Sequence, residues 1–252
     1  MDKVMSDEAH RFYRYQHQKK KGGVAFQVKY RETDLWIRAE RSLEKEALAS
    51  VLHHRRQLEA YIGQFPEFLR SLIPLPDDPT APPIVRQMHE ASRHAGVGPM
   101  AAVAGAVAQA VALDLKPFSS TIIIENGGDC FLDLQEEVLV GIYAGPRSPF
   151  SGRIGLRFPP DRFPFSICTS SGTIGHSLSF GKADAVTVVS QNGALADAAA
   201  TAMGNLVRSP SDIQEALNKA AGIPSVDGVL IVIKDKMGLW GDLELVPLPL
   251  SR

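Results

Sequence analysis

The segment Ser120–Leu134, STIIIENGGDCFLDL, constrains the fold more than any other stretch of the chain. Three consecutive isoleucines form a strand buried on both faces. Asn126, Gly127 and Gly128 then supply the positive φ that a tight reversal needs, and Asp129 opens the returning strand. Strands joined this closely can pair only antiparallel. The same logic applies to VAFQVKY (Val24–Tyr30) and DLWIRAE (Asp34–Glu40), which alternate apolar and polar residues around a short polar break. Further strand-like runs follow at VLVGIYAG, RIGLRF, FSICTS and DAVTVVS, and Asp227–Leu248 closes with another hairpin. Hairpins outnumber helical crossovers, so the fold class is α+β, with mostly antiparallel sheets.

The helices are of an unusual kind. Gly98-Pro99 opens a run to about Leu113, and Asn192 precedes ALADAAATAMGNLV (Ala194–Val207); both are dominated by alanine and glycine. Small residues along a helix permit its backbone to approach a sheet or a ligand closely. More ordinary helices are expected from Ser42, as an N-cap, to about Ile62, with Leu48, Val51, Leu52 and Leu58 on the buried side. Others are expected after Pro66, over Ile84–Gly96 and after Ser211-Asp212. An Ala-rich helix precedes a β-branched strand and a Gly-Asp pair twice, at Gly127-Gly128-Asp129 and Trp240-Gly241-Asp242, the outline of an internal duplication.

Length and composition set the frame. With 252 residues, 44% hydrophobic and 22% charged, the chain can bury a core without staples. Its two cysteines, Cys130 and Cys168, make neither a CxxC pair nor a disulfide framework. Residues 1–60 hold 13 Lys and Arg against 9 Asp and Glu, the remainder 14 against 19. Residues 1–23 read as a basic, solvated arm and 24–252 as one domain, with the proline-rich connection Pro74–Pro83 inside it. Without RNP-type aromatics or a helix-turn-helix pattern, nucleic acid is not the expected partner. The start shows no apolar leader, and Met100–Leu115 is too short and too interrupted for a membrane span, so a cytoplasmic location is expected.

Chemistry concentrates in two places. Cys168-Thr-Ser-Ser-Gly-Thr-Ile-Gly-His176 sets four hydroxyls and two glycines directly after a strand. Backbone N–H groups beside hydroxyls can cradle phosphate, and the same residues can equally cap their own loop. It is neither a Walker A loop nor GxGxxG. Cys168 after Phe-Ser-Ile reads more readily as a small buried hydrophobe than as a nucleophile for His176. Elsewhere, Asp197 and Thr201 stand four apart, on one helical face. A carboxylate and a hydroxyl completed by carbonyls suit Mg²⁺; an Asp stabilised by a helix dipole is the simpler account.

Taken in order, VGPMAAVAGAVA, IIIENGGD, ICTSSGTIGHS, AVTVVS and ADAAATAMGN resemble the ApbE-like superfamily, over roughly residues 24–248. Its best-known members move FMN from FAD onto a protein threonine with Mg²⁺. The resemblance implies FAD or FMN and Mg²⁺ as cofactors and a phosphorylated small molecule, a flavin above all, as partner. By the same implication Asp197 and Thr201, with a carbonyl near Gly98, hold the metal. Gly127, Gly128, Thr169, Ser170, Ser171, Gly172 and Thr173 line the cofactor cleft, and His176 and Asp129 act as base or orienting group. Departures stand beside it: Val97 replaces a lysine before Gly98, Pro99-Met100-Ala101-Ala102 brings no aspartate after it, and His176-Ser-Leu-Ser-Phe lacks the Asp-Pro of the transferases. An enzyme, a binding protein that has lost the chemistry and a partner-binding protein therefore all stay open, and the Ala-rich helices would suit a homodimer.

Overall fold

The structure, a computed structural model, describes residues 23–172 and 180–248. The basic arm up to Gly22, and Thr173 and His176 from the predicted site, lie outside the described residues. Strands β1 (Val24–Tyr30), β2 (Thr33–Ala39), β3 (Ile122–Asn126), β4 (Asp129–Asp133), β7 (Phe165–Ser170), β8 (Ala185–Ser190), β9 (Gly228–Ile233) and β10 (Lys236–Gly241) form one sheet in that order. Strands β5 (Val138–Gly141), β6 (Ile154–Phe158) and β11 (Glu244–Pro247) form a second, three-stranded sheet. Every pairing is antiparallel, as the hairpin pattern requires.

Three layers result. Helices α1 (Glu44–Gln64), α2 (Glu67–Arg70), α3 (Pro83–Ala95), α4 (Val103–Leu115), α5 (Gly193–Leu206) and α6 (Ile213–Ala221) gather on one face of the large sheet. There Ile122, Ile124, Phe131, Val186 and Val188 join the helical core. The small sheet covers the opposite face, where Leu132, Phe165, Ile167, Val189 and Leu230 meet Leu156 and Phe158. Alternate residues of one strand thus enter different cores, which is why β3 and much of β8 read as apolar runs.

Several expectations are corrected. Helix α1 begins at Glu44 behind Leu43, with no side-chain cap; the Ser42 hydroxyl donates to Glu44 at 3.3 Å instead. Its buried face is Ala47, Ser50, Val51, Leu58 and Tyr61, whereas Leu48 is exposed, because the 3.6-residue period carries Leu48 off the stripe. The turn before α6 is capped by Ser209 and Asp212 rather than by Ser211. Helix α4 is extended at both ends by 3₁₀ turns to 20 residues, Pro99–Phe118, long and apolar enough to cross a membrane by length and composition. In the fold it is a core helix, packed on β3, β4, α1 and α5.

The duplication has a topological form. A hairpin, a helical stretch and a second hairpin occur in β1–β4, and the pattern repeats in β7–β10, the eight strands lying in sequence order. The two Gly-Asp pairs do not correspond, however. Gly127-Gly128 makes the β3–β4 turn at φ +70° and +115°, while the β9–β10 turn uses Lys234 at φ +56°, and Gly241-Asp242 falls at the far end of β10, of which Gly241 is the last residue.

Candidate functional site

Helices α4 and α5 cross near their N-termini with no side chain between them. A Cβ on Gly105 would stand 2.1 Å from the Gly193 carbonyl oxygen, and one on Gly193 would stand 2.6 Å from that of Gly105. The alanine and glycine content read from the sequence therefore serves helix-to-helix contact. Gln109 ties the crossing: its Oε1 accepts the Gly193 N–H at 2.7 Å and its Nε2 donates to the Gln191 carbonyl at 3.1 Å. Asn192 caps α5 itself, accepting the Leu195 N–H at 3.0 Å.

Asp197, one turn into α5, reaches across this crossing. Its Oδ2 accepts the N–H groups of Ala104 and Gly105, both at 3.0 Å. These are orphan donors of the first turn of α4, so Asp197 caps a helix 92 residues away in sequence. The dipole account is thus correct in kind, but the helix concerned is α4 and not α5. Asn126, at the tip of β3, holds the same turn from the other side by donating to the Ala104 carbonyl at 3.1 Å.

Asn126 pairs with Asp129 across the Gly127-Gly128 turn, so the hairpin delivers Asp129 to the same place. Asp129 is 8% exposed and lies on the helical face of the sheet beside Cys168. Its carboxyl accepts hydrogen bonds from the Cys168 thiol and the Thr169 N–H. The thiol also faces the Gly193 carbonyl at 3.7 Å. Burial pushes the Cys168 thiol well above its usual range, with the Asp129 carboxylate adding to it. The cysteine is thus a buried thiol inside the core, as its sequence context indicated.

Burial also raises both carboxyls. Asp197 lies deep in the protein, although part of its surface remains accessible, and is pushed up to about 7 by desolvation against the pull of the Gly105 and Ala104 N–H groups. Asp129 is raised well above the carboxylate range, first by desolvation and then by the charge of Asp197. The two titrate as a pair. Their charges oppose each other, so ionising one carboxyl disfavours ionising the other. Among the described residues no Lys or Arg contributes to either shift. Nor do three or more His, Cys, Asp or Glu side chains cluster there as a metal cage.

The other predicted residues divide. Thr201 stands one turn beyond Asp197 on α5, partly exposed. Ser170 is buried on the helical face with Cys168, but Thr169 points to the other face, where its hydroxyl meets that of Thr187 at 2.9 Å. Strand period 2 splits what the sequence presented as one loop. Gly172 and Gly181 close the base of that loop, since a Cβ on Gly172 would fall 2.5 Å from the Gly181 carbonyl oxygen. The Gly172 N–H donates to Ala183 at 2.9 Å. Gly98 lies against the chain leaving α2, where a Cβ would stand 1.8 Å from the Ser71 carbonyl oxygen; its own carbonyl accepts the Ala101 N–H at 3.1 Å. The residues that sequence reading did not place at the site are Ala104, Gly105 and Gln109, and Asn126, which it read only as part of the turn. Only the paired glycines of the Ala-rich helices signalled the crossing that brings them together.

Layered helices on an antiparallel sheet, with a Gly-Gly hairpin and two helix N-termini converging on buried carboxylates, define an ApbE-like α+β protein. The chain belongs to the AbpE bacteria family, whose profile matches residues 14–233. It is 43% identical over 223 residues to a UPF0280 protein of Methanocaldococcus jannaschii, covering 86% of this chain and 90% of that one. To a UPF0280 protein of Methanosarcina barkeri it is 42% identical over 224 residues, covering 88% and 87%. Among solved structures, the fold is similar to the apo flavinyl transferase ApbE of Pseudomonas stutzeri, with TM-score 0.50, 13% identity and 86% and 93% of the two chains covered. It is also similar to a point variant of the flavin transferase ApbE from Vibrio cholerae, with TM-score 0.53, 12% identity and coverage of 86% and 96%. At these identities the two structures establish the fold.

Proposed function

We propose that the cleft beside Asp129 and Asp197 binds a flavin nucleotide through its phosphates together with Mg²⁺, for phosphoryl chemistry of the FMN-transfer type. The observation that carries this reading is the pair of adjacent, buried carboxyls to which no Lys or Arg among the described residues is paired. Such a pair is costly to ionise fully unless a cation joins it. The donor set fits Mg²⁺: Oδ1 of Asp197 has no hydrogen bond among the described residues, Thr201 brings a hydroxyl one turn away, and backbone carbonyls are at hand. Asp197 and Thr201, with a carbonyl from the Gly98 segment, would hold the ion. When bound, it would supply charge that stabilises pyrophosphate oxygens.

The chain's own groups do the rest. Gly127 and Gly128, which carry no side chain at the hairpin tip, leave room for a phosphate to approach the backbone. Ser170, Ser171 and Gly172 would orient the phosphates from the end of β7, and Thr169 and Thr173 belong to the same proposed cleft. Asp129, held by Cys168 and the Thr169 N–H, would hold or accept a proton at its carboxyl, with His176 as the second proton carrier. A binding protein without turnover is favoured by one feature: the turn Pro99–Ala102 is wholly apolar, and it offers no acid or base where the transferases carry an aspartate.

Thermal unfolding with FAD, FMN and ATP, each with and without Mg²⁺, tests the reading. A ligand at a hundred times its Kd adds about 2.7 kcal/mol, a melting shift on the order of 5–10 °C for a chain of this size. A shift with FAD that requires Mg²⁺ and disappears in Asp197→Ala supports the site. No shift with any flavin refutes it, and a shift without FMN release onto any acceptor leaves binding alone.

A further inference from the structure

We propose that the cap Asp197 places on α4 makes this chain's cation site selective for Mg²⁺ over Ca²⁺, by leaving only one carboxylate oxygen to offer; the inference rests on the Mg²⁺-site reading above. Oδ2 accepts two N–H groups at 3.0 Å each, which fills both of its lone-pair directions. Turning it towards an ion would orphan two donors at the head of a helix. Neither partner can shift to compensate. A Cβ on Gly105 would lie 2.9 Å from the Asp197 Cβ and 2.1 Å from the Gly193 carbonyl oxygen, so the first turn of α4, the stem of Asp197 and the first turn of α5 are wedged together. Asn126 and Gln109 fasten the wedge on either side.

Asp197 is therefore a monodentate ligand through Oδ1. Ca²⁺ gathers six to eight oxygens, often both of one carboxylate, whereas Mg²⁺ takes single oxygens in an octahedron and keeps waters in the remaining places. The larger ion loses the contact it most profits from; the smaller loses nothing. The residues that set this selectivity, Ala104 and Gly105, act through their N–H groups and touch no ligand, so they are positioning residues.

Calorimetric titration of the full chain with MgCl₂ and CaCl₂, in the absence of nucleotide, decides the matter. Wild type should bind Mg²⁺ at least as tightly as Ca²⁺. Ala104→Pro removes one of the two N–H donors, and in a protein that still folds it should tighten Ca²⁺ relative to Mg²⁺ by about tenfold. Asp197→Asn keeps an oxygen for the cap but turns its amide NH₂ towards the ion, and should lose both cations while retaining its melting temperature. Tighter Ca²⁺ than Mg²⁺ binding in wild type overturns the proposal without any variant. So does an unchanged ratio in a folded Ala104→Pro protein. Binding of neither ion by folded wild type removes the Mg²⁺-site reading itself, and the selectivity with it.

Discussion

Gly105→Ala should destabilise the protein, although alanine is the better helix former. The new Cβ would meet the Gly193 carbonyl oxygen at 2.1 Å and its carbon at 2.8 Å. Ordinary contact begins near ~3.4 Å, and the opposing atoms are backbone, so the helices must part by roughly 1 Å. Overpacking of this kind costs about 1–3 kcal/mol, and a backbone-to-backbone clash belongs at the upper end. Parting the helices also lengthens the two Asp197 hydrogen bonds that cap α4, adding about 1 kcal/mol. Against this, replacing glycine inside a helix returns about 1 kcal/mol. The net loss is about 3 kcal/mol, or a fall in Tm of about 6–12 °C. Circular dichroism during thermal and urea unfolding measures it. Gly63→Ala is the companion, since that glycine lies in α1 with no atom within 4 Å of the place a methyl would take, and it should gain up to about 1 kcal/mol. A Gly105→Ala protein as stable as wild type, or stabilised like Gly63→Ala, would refute the argument that α4 and α5 touch backbone to backbone.

Three further outcomes are expected. Gly127 at φ +70° should accept asparagine with little loss, whereas Gly128 at φ +115° should not accept alanine; a Gly128→Ala cost below that of Gly127→Asn in urea unfolding would contradict the turn geometry. His89 packs against Tyr61 and Phe68, and burial holds its pKa below the usual 6.5 despite Asp77 and Asp78. The unfolded chain thus takes up a proton near pH 6.5 that the folded chain refuses until lower pH, so stability falls as pH drops through that range, and His89→Phe should flatten this part of the stability profile. Asp197→Ala removes the cap of α4 and should cost about 1–2 kcal/mol in stability, apart from any loss of ligand binding; an unchanged Tm would mean the α4 N–H groups find other partners.

Much of the architecture follows from local chemistry. Period-2 alternation marks β1 and β2, Asn-Gly-Gly demands the β3–β4 reversal, and Asn192 caps α5 whatever the rest of the chain does. Those signals act over a few residues, so they are legible in one dimension. The candidacy of Asp129 and Asp197 rests on the family resemblance, joined for Asp197 by its spacing from Thr201, but what the two do to each other has no such signal. Desolvation and mutual charge act through space, across the hairpin and the crossing of α4 with α5.

Face and partner were beyond the reach of local pattern. Thr169 and Ser170 are neighbours in the same motif, yet the pleat sends one hydroxyl to Thr187 and the other towards the helices. The Asp197 cap depends on an N–H pair 92 and 93 residues earlier, and the glycines that permit it, Gly105 and Gly193, are 88 positions apart by their numbers. By itself the sequence determined the antiparallel hairpins, the small-residue helices and the residue types available for a site. Only the tertiary structure decided which helix N-termini meet, which oxygen of Asp197 is already engaged and which face each hydroxyl takes, because those outcomes depend on close packing between segments with no local signal for one another.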